Sequence, residues 1–212
     1  MSAHFDAPSN VEPLRFQGDD HAMVAALRLH HPGAAAAFWD RYAARVHRTI
    51  SRTMGPDAET PDLLQETFIR ALAEIKSLDD PSRLGAWLTT IAVFTARACI
   101  RRRSRRKLLF ALSPSTVEPT FSLPVPDGVR EGLREVYDVL ATMPSDERIA
   151  FALRLIDGLP LAEAAASMDV SLATFKRRLQ KAERLFLQVA QQSPQLREFI
   201  EEGKRWDLDQ KA

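Results

Sequence analysis

The sequence predicts an all-α protein: two small helical domains joined by a proline-rich linker, the C-terminal one with a helix-turn-helix. Apolar residues recur at helical steps along most of the 212 residues, and the alternation typical of strands is nearly absent. Between Ala111 and Val129 this periodicity stops, and four prolines lie among serines and threonines, as in an extended, semi-stiff linker. After the linker, residues 161–185 contain two short helical patterns separated by a tight turn.

Before the linker, four helices are expected, over residues 21–29, 34–54, 62–75 and 84–106. Gly55 and Pro56 end the second of them. Thr60 is suited to cap the third helix, and Pro61 is pre-organised for its first helical position. Residues 78–83 are expected to form a loop.

After the linker, a helix over residues 131–143 is expected to end at Pro144. Ser145 is suited to cap a further helix, which Gly158 ends. The chain therefore divides into an N-terminal extension expected to be flexible, a first domain, the linker, a second domain and a polar tail: residues 1–20, 21–110, 111–129, 130–190 and 191–212.

In the helix-turn-helix, Asp169 lies at the turn, and Asp tolerates the left-handed conformation better than most residues other than Gly. Ser171 is placed to cap the second helix. One face of that helix is apolar: Leu172, Phe175, Leu179, Ala182 and Phe186. The opposite face is polar and basic: Thr174, Arg177, Lys181 and Arg184, flanked by Lys176 and Arg178. Such a helix is suited to the major groove of DNA, and the alternative is an ordinary helical hairpin with a solvated basic face.

The composition is typical of a folded protein, with 45% hydrophobic and 27% charged residues and a net charge of +1. Positive charge is concentrated in residues 97–107 and 176–184, and the acidic residues gather elsewhere. This separation of charge suits a protein with one anionic and one cationic partner. The single cysteine, Cys99, excludes an internal disulfide and is expected in the core. No apolar run approaches the roughly 18 residues of a membrane span, and residues 1–20 lack the apolar segment of a signal peptide. We expect a cytoplasmic protein without membrane insertion.

No pattern of catalytic residues is present. The five histidines lack the spacing of metal ligands, and the adjacent His30 and His31 would point about 100° apart on a helix. The eight glycines form neither a P-loop nor a dinucleotide-binding pattern. We therefore expect no enzyme activity, no catalytic residue, no metal, no cofactor and no small-molecule substrate.

Three motifs follow one another along the chain. The first is DLLQETFIRAL, over residues 62–72. The second is LGAWLTTIA, over residues 84–92, which leads into a basic helix. The third is LATMPSDE, over residues 140–147, followed by Asp157-Gly-Leu and the helix-turn-helix. In this order and spacing they resemble the bacterial RNA polymerase sigma factors, specifically the extracytoplasmic-function (ECF) group, over most of both domains.

The resemblance implies that the first domain binds core RNA polymerase and melts the promoter at the minus-ten element. It implies that the helix over residues 62–75 docks on the coiled-coil clamp helices of the polymerase. The residues expected to make this contact are Asp62, Gln65, Glu66 and Ile69. The alternative is that these residues form an acidic face that is only exposed to solvent and binds no partner.

On the minus-ten side, the resemblance implies a loop that captures a base flipped from the non-template strand, followed by a helix whose arginines contact phosphates. The expected DNA contacts are Arg83, Trp87, Arg97, Arg101, Arg102, Arg105 and Arg106. Trp87 either supports the loop from beneath or stacks directly on a base. Phe94 departs from the family pattern, because many members carry an Asn there that takes part in reading the minus-ten element. Either Phe94 turns into the core or recognition differs in this chain.

In the second domain, the resemblance places Ser171 on a phosphate at the N-terminus of the recognition helix. It orients a polar set toward the minus-thirty-five element: Thr174, Lys176, Arg177, Gln180 and Lys181. Arg178 would contact the DNA backbone or an acid of the same protein. Arg177 stands where the family often has Ser, and a bidentate arginine would favour guanine.

The expected partners are core RNA polymerase, promoter DNA and an anti-sigma factor. The alternative function is a helix-turn-helix regulator that acts without core polymerase. The motifs at residues 62–72 and 84–92 argue against it, because a stand-alone repressor needs neither. Two basic clusters on two domains disfavour a purely protein-binding adaptor.

Overall fold

The computed structural model describes residues 16–55, 57–109, 127–193 and 196–197. These residues form eight α-helices and contain no strand, which confirms the all-α prediction. The helices are α1 (Asp20–Arg28), α2 (Ala34–Met54), α3 (Thr60–Glu74), α4 (Leu84–Leu109), α5 (Asp127–Ala141), α6 (Ser145–Phe151), α7 (Leu161–Ser167) and α8 (Leu172–Ala190). Most of the predicted extension, linker and tail lie outside the described residues.

The first domain consists of α1–α4, with α2 packed against both α3 and α4. The four-residue pattern of α2 predicted its inner face, and Phe38, Tyr42, Val46 and Ile50 are all buried. The Phe38 ring meets that of Phe68 on α3 edge to face, with the ring centroids 5.1 Å apart. This apolar contact fixes α3, so its opposite face is presented to solvent.

Two predicted caps are wrong. Thr60 is the first helical residue of α3 and is buried, and the preceding turn is held by Asp57, whose carboxylate accepts the backbone N–H of Glu59 at 2.8 Å. Ser145 is likewise inside its helix, and its hydroxyl lies 3.2 Å from Nε of Arg101, from which it accepts a hydrogen bond. The first difference comes with a local turn and the second with a contact to a residue distant along the chain, and the local pattern showed neither.

Other boundaries also differ. The expected loop over residues 78–83 contains a 3₁₀ turn at Pro81–Arg83, which Asp80 caps. α5 begins at Asp127, earlier than the predicted end of the linker, and so includes Gly128, whose cost in a helix is only about 1 kcal/mol. The predicted N-terminal extension overlaps α1, which starts at Asp20 and is capped by Asp19.

The second domain contains α5–α8, and its helix-turn-helix forms as predicted around Asp169 and Ser171. Asp169 has the left-handed backbone expected of it, with φ 53°, and Ser171 caps α8 by accepting the N–H of Thr174 at 3.2 Å. Phe175, Leu179 and Ala182 are buried. Leu172 is 43% exposed, so its place in the buried stripe was wrong. Leu172 is the first residue of α8. Helical spacing within α8 does not show whether a neighbouring helix extends far enough to cover that residue.

The two domains pack against each other and share one apolar core. Ile149, Leu153 and Phe175 of the second domain belong to the same buried cluster as Phe38 and Leu88 of the first. The prediction treated the domains as tethered units that occupy separate sites, and their direct packing was not anticipated. The reason is that each domain's periodicity marks its apolar faces without showing which faces meet.

A C-terminal segment of α6 widens into π-helical turns over Ala152–Ile156 before Gly158. Gly158 has φ +73°, in the left-handed region that glycine adopts without steric cost. The residue therefore ends the helix as the sequence predicted, although the preceding turns are wider than those of an α-helix.

Gly55 ends α2 beneath the second domain. Its φ of +81° disfavours other residues, and a Cβ added there would lie 2.6 Å from Cδ1 of Tyr137 on α5. We predict that Gly55→Ala lowers the free energy of unfolding by about 1–3 kcal/mol, measured by urea denaturation.

The matched control is Gly132→Ala on α5, where a Cβ would meet no atom within 4 Å. Because alanine favours a helix over glycine, this change is expected to stabilise the protein by up to about 1 kcal/mol. Equal effects of the two substitutions would contradict the assigned role of Gly55.

Candidate functional site

The predicted polymerase-facing residues share one surface of α3. Asp62, Gln65 and Ile69 are exposed, and Glu66 between them is half-buried and forms an ion pair with Arg70 one turn later. Ile69 is 67% exposed, and the nearby Leu72 is exposed as well. The arrangement combines acids with an uncovered apolar side chain, as a protein-docking surface does.

Sequence reasoning missed the aromatic neighbour of this surface. Trp39 on α2 packs its ring against Phe68, with the centroids 4.6 Å apart, and remains partly exposed. Leu72, one turn after Phe68, is also exposed. The adjacent pair Phe38-Trp39 in the sequence was a usable signal, because neighbouring aromatics on a helix cannot both face the same core.

The segment before α4 is held in shape by Asp80. Its carboxylate accepts the N–H of Ser82 at 3.0 Å and the hydroxyl of Ser82 at 2.7 Å, and these hydrogen bonds hold the pKa of Asp80 below its usual value. Arg83 beside it is exposed. Trp87 is half-buried and packs against the core.

The basic end of α4 presents most of its predicted arginines to solvent. Arg101, Arg102, Arg105 and Arg106 are exposed, although Arg102 also contacts Glu59 at 3.0 Å. The side chain of Arg97 is only 12% exposed. Of the five arginines of α4 predicted to contact DNA, the structure therefore exposes four and places the fifth, Arg97, at the junction with the second domain.

Arg103 anchors this helix to the start of α3. Its guanidinium donates hydrogen bonds to Asp57 and lies 3.1 Å from a carboxylate oxygen of Glu59. Burial alone would raise the pKa of Asp57, but the hydrogen bonds from Arg103 and from the Glu59 backbone outweigh it, so the pKa lies below its usual value. Both acids are therefore ionised at neutral pH and hold the arginine-rich helix in place.

Cys99 lies beneath the same cluster, as predicted for a core residue. Burial, together with a hydrogen bond to Glu59, raises the pKa of the Cys99 thiol to about 11. The thiol is therefore protonated at neutral pH, which is unsuited to nucleophilic chemistry.

Asp146, near the start of α6, lies among arginines from two other helices, α4 and α8. Its Oδ1 is 3.2 Å from Nε of Arg97 and 3.4 Å from Nη2 of Arg101, and its Oδ2 is 2.9 Å from Nη2 of Arg178. Burial lowers the pKa of Arg97, and the charge of Asp146 partly offsets this. One carboxylate thus engages arginines from both predicted DNA-contacting helices.

The carboxylate does not satisfy this cluster fully. Nε of Arg97 and Nη1 of Arg178 are buried and have no hydrogen-bond partner among the described residues, although Arg97 lies within ion-pair distance of Asp146. The cluster therefore contains cationic donors that its one carboxylate leaves unpaired.

The recognition helix α8 is partly engaged in the same way. Lys176, Arg177 and Gln180 are exposed, whereas Lys181 contacts Glu147 at 2.7 Å. Thr174, half-buried, lies near the cap, and its hydroxyl accepts a hydrogen bond from that of Ser171 at 3.0 Å. The exposed residues Lys176, Arg177 and Gln180 therefore lie in the N-terminal half of α8.

The comparisons with known proteins agree with this division of the chain. Residues 38–106 match the family model for sigma-70 region 2, and residues 133–185 match that for sigma-70 region 4. Among the described residues, none of the helices combines the length and apolar character that a bilayer crossing requires.

Curated relatives extend the likeness over most of their own length. The ECF RNA polymerase sigma-E factor of Escherichia coli K12 is 32% identical over 151 residues, which are 67% of this chain and 78% of that protein. The sigma-E factor of Haemophilus influenzae is 28% identical over 172 residues, 77% of this chain and 90% of that protein.

A solved structure has the same fold. The structure of CnrH in complex with the cytosolic domain of CnrY superposes with a TM-score of 0.56 at 19% identity, covering 82% of this chain and 98% of that one. Two matched regions in family order and a relative 32% identical over 78% of its length establish the family. The chain belongs to the ECF group of RNA polymerase sigma factors.

Proposed function

We propose that this sigma factor binds core RNA polymerase through α3 and then carries α4 to the minus-ten element and α8 to the minus-thirty-five element of a promoter. One observation carries the proposal: an acidic and apolar docking surface, a basic helix and a capped recognition helix occur in a single chain. The proposed domains are those expected from the sequence, residues 21–110 and 130–190. Core polymerase performs the bond-making chemistry, and the sigma factor acts with it in the cytoplasm.

The docking surface on α3 suits a basic, amphipathic partner. Asp62, Gln65 and Glu66 supply charge and hydrogen-bonding groups that steer and orient the complex. Ile69, joined by the exposed edge of Trp39, supplies apolar area that only a partner can cover. Aromatic and aliphatic anchors contribute most of the free energy of binding at such interfaces, and the surrounding charges contribute chiefly specificity and rate.

On the promoter, α4 and α8 have different tasks. The arginines of α4 lie along the helix and contact phosphates, which sets position without reading sequence. At α8, Ser171 lies where free N–H groups and the helix dipole attract a phosphate, and Arg177 reaches a base edge. Arg83 and Trp87 form the border and the support of the strand-separating loop.

The packed arrangement of the domains engages part of this DNA-binding surface. Asp146 holds Arg97, Arg101 and Arg178, and Glu147 holds Lys181. Binding to DNA therefore requires these basic groups to exchange carboxylates for phosphates. Among the described residues, two guanidinium nitrogens of this cluster have no hydrogen-bond partner, and the oxygens of a DNA phosphate can accept charge-assisted hydrogen bonds from them.

An anti-sigma factor is a further proposed partner. Support comes from CnrH, which has a similar fold and whose structure contains the cytosolic domain of CnrY. The exposed apolar side chains Ile69, Leu72 and Leu172 are available to such a partner. The match to both sigma-factor regions argues against the alternative of a regulator that acts without polymerase.

We predict that Asp62→Ala combined with Glu66→Ala weakens binding to core polymerase roughly 10-fold, because two acids of the docking surface are lost. A pull-down titration with core polymerase measures this. The control is Asp138→Ala with Glu163→Ala, which removes two exposed acids from the second domain. Undiminished retention of the α3 variant would exclude this docking surface.

We predict that Arg177→Ala weakens promoter binding by about 1–3 kcal/mol and relaxes the preference at one base pair, since a bidentate contact with a base is lost. Lys176→Ala should instead weaken binding to all sequences alike and reduce its salt dependence. Binding of holoenzyme to a randomised promoter pool at several salt concentrations distinguishes the two. Arg134→Ala, at an exposed arginine of α5, is the control. Identical sequence preferences in wild type and Arg177→Ala would contradict base reading.

We predict that Asp146→Asn raises the affinity of the free protein for duplex DNA several-fold, because Arg97, Arg101 and Arg178 lose their shared carboxylate. Fluorescence anisotropy with a labelled duplex measures this. Glu163→Gln changes the net charge equally at an exposed site that has no ion-pair partner among the described residues. If both variants bind alike, the carboxylate of Asp146 does not compete with DNA.

A further inference from the structure

An open groove lies on the second domain, between α5 and the end of α8, on a surface that the proposed function does not use. Its cavity measures about 480 Å³. Val139, Val189 and Leu196 give the groove an apolar lining, and Glu135 and Asp138 add two carboxylates. Val189 is 37% exposed, so the described residues leave part of this apolar lining uncovered.

The chain returns to α5 after α8 ends at Ala190. The hydroxyl of Ser193 donates a hydrogen bond to Oε2 of Glu135 at 2.6 Å. Leu196 is 3% exposed and belongs to the same buried cluster as Val139 of α5 and Ala190 of α8. The described part of the chain therefore ends inside the groove rather than leaving the domain.

A new helical turn begins at this point. Oγ of Ser193 accepts the N–H of Leu196 at 3.3 Å, and the backbone oxygen of Ser193 accepts the N–H of Arg197 at 3.1 Å. These are the hydrogen bonds of an N-cap and of a first α-helical turn. Arg197 is the last described residue. A helix that continues from it would carry the side chains that share a face with Leu196 along the groove.

The sequence after Arg197 is amphipathic at helical spacing. Phe199 and Ile200 follow Leu196 by three and four residues, so a helix places these three side chains on one face. Gly203 is suited to end such a helix. The opposite face carries three acids: Glu198, Glu201 and Glu202.

The groove requires an occupant that presents apolar side chains and directs no acid toward Glu135 and Asp138. The segment after Arg197 has this pattern, because its glutamates lie opposite its apolar face. It is also covalently attached at the groove, so its effective concentration there is high and a second molecule has to compete with it. Both arguments favour the chain's own C-terminal segment over a separate partner.

We propose that Phe199 and Ile200 occupy this groove and that residues 198–203 pack as a helix across α5 and the end of α8. This inference goes beyond the proposed function and does not depend on it. The groove lies at the opposite end of α8 from Lys176 and Arg177. The C-terminal segment therefore stabilises α5 against α8 without covering the residues proposed to read DNA.

The test is a double-mutant cycle in the full chain, with unfolding in urea followed by far-UV circular dichroism. Val189→Ala removes part of the groove lining, Phe199→Ala removes a side chain proposed to fill the groove, and a third variant carries both changes. The control cycle pairs Phe199→Ala with Leu187→Ala. Leu187 is an exposed apolar residue of α8 that is not among those lining the groove.

Phe199→Ala is expected to raise the unfolding equilibrium constant on the order of 10-fold, because apolar contacts are lost. In the chain that already carries Val189→Ala, the same change is expected to raise it clearly less, since part of the contact surface is gone. In the control cycle the two effects are expected to multiply. All these effects should be independent of protein concentration.

An unchanged unfolding equilibrium in Phe199→Ala would overturn the proposal and leave the groove to a separate partner protein. Effects of Phe199→Ala and Val189→Ala that multiply, as in the control cycle, would also overturn it. A destabilisation that depends on protein concentration would overturn it in favour of a second copy whose segment fills the groove. Core polymerase and DNA are absent from this experiment, so its outcome is independent of whether the proposed function holds.

Discussion

The arrangement of the two domains depends on a buried arginine that lies on the carbonyl end of a helix. Nε and Nη2 of Arg148 on α6 donate to the backbone oxygens of Thr53 and Met54 at 3.2 and 2.7 Å, at the end of α2. These carbonyls have no intrahelical partners and carry the negative end of the helix dipole. Burial lowers the pKa of Arg148, and the positive charge of Arg103 adds to this effect. The guanidinium nevertheless stays charged and joins the two domains.

The other contacts at this end of α2 are made around the same point. The Tyr137 hydroxyl donates to the backbone oxygen of Arg52 at 3.1 Å, and the Arg52 guanidinium pairs with Asp157. Gly55 leaves the space that Tyr137 occupies. α2 packs against both α3 and α4 in the first domain. The contacts at its C-terminal end therefore attach the core of the first domain to the second domain. This attachment, the shared apolar core and the direct packing of α4 on α6 and α7 together set the relative position of α4 and α8.

In this arrangement the three consecutive residues 146–148 make three different electrostatic contacts. Asp146 lies among the arginines of α4 and α8, Glu147 holds Lys181, and Arg148 binds the end of α2. A short acidic and basic run at the start of α6 therefore both joins the domains and occupies groups proposed to bind DNA. Packing of the two domains therefore competes with phosphate binding, since the same side chains take part in both.

The sequence by itself determined the helices, the turn at Asp169, the cap at Ser171 and the faces of α2, α3 and most of α8, because these depend on local spacing and backbone preference. The order of the three motifs was enough to indicate the family. The tertiary structure decided which surfaces meet: the shared core, the attachment of Arg148 and the convergence of arginines on Asp146 join residues distant along the chain. It also decided that Phe94 is exposed and Arg97 nearly buried. Helical periodicity could not show this, because it describes one helix at a time, whereas burial depends on which neighbours cover each face.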